Sequence, residues 1–187
     1  MAKVVKVRKH YRRGKNKVTV VRQHSRDVIG SKISVIRDKY KINTPIQVTD
    51  ADTDSFPSDS YAFTDTTLVD DKPTDHVINL NADKITADGE NADKVIEHEI
   101  AHIIDKEKGL MKSRFGRNFM AAVQQTDAYK KLQETNDNYE IKPEELFARA
   151  YAQYRTGDVK PNDVETGYAW DKNDFKLVAK QLKKLVQ

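Results

Sequence analysis

At 187 residues, with 37% apolar and 33% charged side chains, the chain has the length and composition of a folded domain with solvated, charged surfaces, which excludes a disordered polymer. It contains no cysteine, which excludes a disulfide framework and a thiolate metal site, so any bound metal must be held by His, Asp and Glu. The net charge of +4 hides an asymmetry that suggests two jobs or two docking faces: residues 1–41 carry 14 Lys/Arg against Asp27 and Asp38, whereas residues 42–187 carry 19 basic and 27 acidic side chains.

The N-terminal stretch MAKVVKVRKHYRRGK lacks the apolar core of a signal peptide, and no run approaches about 18 uninterrupted apolar residues. A soluble, cytoplasmic or virion-associated protein without membrane contact is therefore expected. Lys3–His10 and Lys17–Gln23 alternate in part (Val5, Val7; Val18, Val20) on either side of Arg12-Arg13-Gly14-Lys15-Asn16, the pattern of a basic hairpin. A lone hairpin is barely stable in water, so this arm, residues 1–24, must dock on something, while residues 25–187 form the domain proper. The arm holds nine Lys/Arg and no acid, and Lys6, Arg8, Lys9, Arg12, Arg13, Lys15 and Lys17 are its candidate contacts to phosphates or to an acidic partner. Tyr11 is its one aromatic residue, too little for a base-stacking platform. The plainer expectation is a strand pair docked on the acidic remainder of the chain.

From Ser25 the apolar spacing changes to Val28, Ile29, Ile33, Ile36 and Tyr40, one stripe on a helix that begins at a serine cap. Pro45–Val48, Tyr61–Phe63 and Val77–Leu80 are short β-type runs, with a loop at Thr49–Ser60. Residues 89–108 predict a helix that buries Val95, Ile96, Ile100, Ile103 and Ile104 and ends at Gly109. Further helices are expected at 114–134, 143–155 and 171–186, with Pro143 in the first turn and Asp171 or Asn173 as a cap. The fold class is therefore α+β: a small twisted sheet packed on the helix 89–108, followed by a helical C-terminal half.

That helix contains His98-Glu99-Ile100-Ala101-His102, an HExxH pattern. Four residues make just over one turn, so both imidazoles project from the same face and can bind one tetrahedral zinc, while Glu99 lies on the adjoining strip as a base for a zinc-activated water. The bland alternative is a surface helix with two unconnected histidines. Against it, apolar residues flank the motif on both sides, so its polar groups need a reason to be buried. A third ligand is required. Of the other histidines, His10 and His24 lie in the basic arm, and His76 is the third. Glu144 and Glu145 are better candidates, because they open a segment, 143–154, that is apolar on nearly every side and should pack against the HExxH helix. Either glutamate also suits a first turn through the helix dipole alone.

HEIAHIID at 98–105 followed by PEELFARAYAQY at 143–154 resembles the gluzincin-type zincin metallopeptidases, especially the lethal-factor-like zincins and the zincin-like domains encoded by phages and mobile elements. In those families the first Glu of E-x-x-A-x-A-[FY] is the third zinc ligand, which falls here on Glu145 of Glu145-Leu-Phe-Ala148-Arg-Ala150-Tyr151. The resemblance implies Zn2+ held by His98, His102 and Glu145, and hydrolysis of a peptide bond with Glu99 as general base. It also implies an oxyanion-stabilising role for Tyr139, six residues before Glu145, and an edge strand at Val77–Asn81 to which an extended peptide adds. One departure is Arg149, where these families often place an acid that orients a zinc-bound histidine; that duty passes to Asp105, a backbone carbonyl or water. The basic arm resembles hairpin-like segments appended to phage head and mobile-element proteins. The expected partners are thus a peptide or protein substrate, with nucleic acid or phage structural proteins at the arm. Two rivals remain: a non-catalytic zincin-fold structural protein of a phage particle or mobile element, and a nucleic-acid-binding module. The intact Glu99 favours an enzyme over the first, and the acidic residues 42–187 confine phosphate contact in the second to the arm.

Overall fold

Seven helices and three strands form from residues 31–50, 60–134, 142–157, 170 and 172–186, the part of the chain that the computed structural model describes; the arm at 1–24, Ser25, Tyr139 and Asp171 lie outside it. Helix α1 (residues 31–40) turns Ile36 fully inward and half-buries Ile33 and Tyr40, the stripe expected from their spacing. Lys41 ends it in the left-handed region (φ 51), with the Ile42 N–H donating to the Arg37 carbonyl and Ile42 buried behind the turn.

Strands β1 (Ile46–Asp50), β2 (Ala62–Val69) and β3 (Lys72–Leu80) make a mixed sheet in the order β1-β3-β2, with β1 parallel and β2 antiparallel to β3. Both hairpin strands run longer than their apolar cores. The reason is the turn: Asp70 and Asp71 sit at φ 51 and 60, and Val69 pairs with Lys72. Two successive left-handed residues give the tight turn whose twist matches that of antiparallel strands. Val77–Leu80 therefore belongs to the central strand, hydrogen-bonded on both sides, and is not an edge strand. Among the described residues the edges are β1 and β2. The apolar run of β3 is the sign of that central position, since a strand in the middle of a sheet buries more of its surface.

The inner sheet face carries Ile46 and Val48 from β1, Ala62, Thr64 and Thr66 from β2, and His76, Ile78 and Leu80 from β3. After the short α2 (Ala82–Ala87), helix α3 (Ala92–Lys108) packs on this face. The Asn91 side chain accepts the Asp93 and Lys94 N–H groups at its start, and Gly109 closes it at φ 57. Its buried apolar side is Ile96, Ile100, Ala101, Ile103 and Ile104, with Val95 half-buried at the margin.

The helix expected at 114–134 is instead two, α4 (Arg114–Val123) and α5 (Asp127–Glu134). Thr126 is buried between them; its hydroxyl donates to the Val123 carbonyl and its oxygen accepts the Tyr129 N–H. The Asp174 carboxylate then accepts the Asp127 and Ala128 N–H groups, so donors that a continuous helix would satisfy internally are satisfied from another helix. Helix α6 (Pro143–Thr156) has Pro143 in its first turn and buries Leu146, Phe147, Ala148, Ala150, Tyr151 and Ala152, as a segment apolar on nearly every side must. It is sandwiched between α3 and α7 (Lys172–Val186), with Phe115, Phe119 and Phe147 meeting at ring-centroid distances of 5.8–6.1 Å. The molecule is thus an α+β protein in which a three-stranded sheet backs α3 and α3 backs α6. No helix among the described residues is long and apolar enough to cross a membrane.

Candidate metal centre

The crossing of α3 and α6 brings His98, His102 and Glu145 together. The two Nε2 atoms lie 3.1 Å apart, and Glu145 presents Oε2 to His98 and Oε1 to His102, each at 3.4 Å. The His98 and His102 side chains are 24% and 20% exposed and Glu145 only 9%, so the cluster is walled by the core and open on the histidine side. Glu144, its neighbour in the first turn of α6, is not part of the cluster and acts electrostatically on Asp105.

Burial, reinforced by the nearby His98 and Lys106, lowers the pKa of His102 to about 4, against the opposing pull of Glu145. Its imidazole is therefore neutral near pH 7, the form that has a lone pair to donate. Glu99 is 4% exposed. Burial raises its carboxyl pKa; His98 and the Thr64 hydroxyl work against that rise and Glu145 adds to it. The Thr64 hydroxyl donates to Glu99 Oε2 at 2.6 Å, a length typical of hydrogen bonds to a charged acceptor.

Asp105 uses its carboxylate on the Met111 N–H at 2.8 Å, fixing the turn after α3, and among the described residues it bonds neither imidazole. Tyr139 and the candidate contacts of the arm, Lys6, Arg8, Lys9, Arg12, Arg13, Lys15 and Lys17, lie outside the described residues.

Two further groups around the cluster are not evident from sequence pattern. Glu97 is 1% exposed, accepts a hydrogen bond from Lys32 Nζ of α1 at 3.0 Å, and faces Arg155 Nε of α6 at 3.4 Å in an ionic contact. One buried carboxylate thus ties α1 and α6 to the helix that carries both histidines. His76, fully buried on β3, donates from Nε2 to Glu107 of α3, and its Nδ1 shares a hydrogen bond with the Thr66 hydroxyl, both at 3.0 Å. This links β2 and β3 to the last turn of α3. A buried Glu directly before HExxH was the available signal for the first network. Nothing local marks the second.

No protein-family model, curated protein or solved structure matches this chain.

Proposed function

We propose that this protein is a zinc metallopeptidase of zincin type, holding Zn2+ with His98, His102 and Glu145 and using Glu99 as general base. The observation that carries this reading is the convergence of the three side chains: the two Nε2 atoms lie 3.1 Å apart and each lies 3.4 Å from a different oxygen of the Glu145 carboxylate. Tetrahedral zinc with bonds of about 2.0–2.1 Å requires donors about 3.3–3.4 Å apart, so two imidazoles and a carboxylate in this arrangement fit that ion in both size and chemistry. When bound, zinc supplies Lewis acidity, acidifying a water and polarising a carbonyl oxygen.

The remaining work belongs to the chain. Glu99 takes the proton of the attacking water and passes it to the leaving amine, a transfer for which its place on α3 between the two histidines suits it. Among the described residues β2, which carries Thr64, is the outer strand bonded to Glu99, and an extended substrate could add along it. Glu145 reaches the histidines from the buried first turn of α6, which holds the third donor to one position.

The test compares zinc-loaded wild type with Glu99→Gln and His98→Ala on a broad peptide library, with metal analysis of protein purified without chelator. Glu99→Gln should retain zinc and lose hydrolysis by about 10²–10⁴-fold, whereas His98→Ala should lose both. Identical peptide profiles for wild type and Glu99→Gln would leave a metal-binding fold without hydrolytic chemistry, the structural-protein alternative.

A further inference from the structure

We infer that Thr64 is a positioning residue for the Glu99 carboxylate; its chemical purpose rests on the metallopeptidase reading, its placement on contacts that stand without it. Thr64 sits on the inner face of β2, paired with Ile78 across the hairpin, and reaches Glu99 at 2.6 Å from a strand 35 residues away in sequence. At 4% exposure Glu99 has little water to satisfy its oxygens, so removing this hydroxyl leaves Oε2 buried without its donor.

A carboxylate at the end of two rotatable methylenes does not hold one orientation unaided. Here Oε2 is anchored to the sheet, which leaves Oε1 to handle the proton. The anchor is stiff for two reasons. Threonine is β-branched, so its χ1 is restricted. The strand beneath it is itself pinned to α3 two residues further on, where Thr66 bonds His76 and His76 bonds Glu107. Strand β2, the one of the two outer strands that bonds Glu99, and the base that would act on a peptide added along it are therefore one mechanical unit.

The experiment uses the full chain and three variants, Thr64→Val, Thr64→Ala and Thr64→Ser, each checked for zinc content and thermal unfolding. On a peptide cleaved by wild type, Thr64→Val should lower kcat by about tenfold to a hundredfold with little change in KM, and Thr64→Ser should recover most of it. Thr64→Ala carries the same prediction if the valine variant does not fold. A second readout needs no turnover: in metal-free protein labelled with 13C at glutamate Cδ, the Glu99 resonance, assigned by its loss in Glu99→Gln, should move in Thr64→Val and return in Thr64→Ser. Wild-type kcat in both hydroxyl-free variants, or a serine variant as slow as they are, overturns the inference, as does an unmoved Glu99 resonance. If wild type cleaves no peptide, the metallopeptidase reading fails by itself and the carbon resonance alone decides whether Thr64 holds Glu99.

Discussion

Histidine 102 illustrates how a single side chain is prepared by its surroundings. Its folded pKa of about 4 lies below the 6.5 of an ordinary histidine, chiefly because burial penalises the imidazolium. Above about pH 6.5 the ring is neutral in folded and unfolded chains alike, and the shift costs nothing. As pH falls from 6.5 toward 4, the unfolded chain takes up this proton first, so folding stability declines across that window. Urea unfolding of the metal-free protein between pH 7 and pH 4 should show His102 contributing a loss of up to about 3 kcal/mol, read as the difference between wild type and His102→Gln. A wild-type profile parallel to that of His102→Gln would show that the ring protonates as easily in the fold as in water. The same burial moves the pKa of Glu99 the other way, upward, because for a carboxyl the neutral form is the protonated one. The two residues thus share one cause, desolvation, and it keeps the imidazole unprotonated while making the carboxyl the more basic group.

Among the elements, α3 and α6 carry the cluster, and their relative position is held by contacts away from it. Glu97 with Lys32 and Arg155 ties α1, α3 and α6 together, and a buried carboxylate facing two cations is intolerant of displacement. The break between α4 and α5 has a similar origin. Asp174 of α7 caps α5 through both carboxylate oxygens, at 3.1 Å to the Asp127 N–H and 2.9 Å to the Ala128 N–H, and is itself 8% exposed. Asp174→Ala should therefore cost about 1–2 kcal/mol in chemical denaturation, the usual scale for a lost helix cap, and should increase amide exchange at 127 and 128 first. Uniform exchange across α5 in that variant would deny Asp174 its capping role.

On the scale of the whole molecule, charge divides the chain: nine Lys/Arg and no acid in residues 1–24, against 27 acidic and 19 basic residues in 42–187. On this division we propose that residues 1–24 bind an anionic partner. Deleting residues 1–24 should leave zinc content and thermal unfolding unchanged while abolishing retention on immobilised duplex DNA that weakens steeply with salt. Full-length protein that is not retained even at low salt would assign the arm to protein contacts or to structure. Sequence by itself determined the α+β class, the shared face of His98 and His102, and the burial of the segment that begins at Pro143. Each follows from local geometry: a four-residue step is about one helical turn, and a helix apolar on nearly every side has nowhere to go but inward. Only the tertiary structure decided that β3 is central with β1 and β2 outside it among the described residues, that a buried Asp174 divides α4 from α5, and that Thr64 hydrogen-bonds Glu99; Glu145, to which the resemblance already pointed, is the glutamate that faces the imidazoles. These depend on partners brought from distant parts of the chain. Strand order and helix crossing are set by which buried surfaces and orphan hydrogen-bonding groups can be satisfied together, and no window of neighbouring residues contains both halves of such a contact.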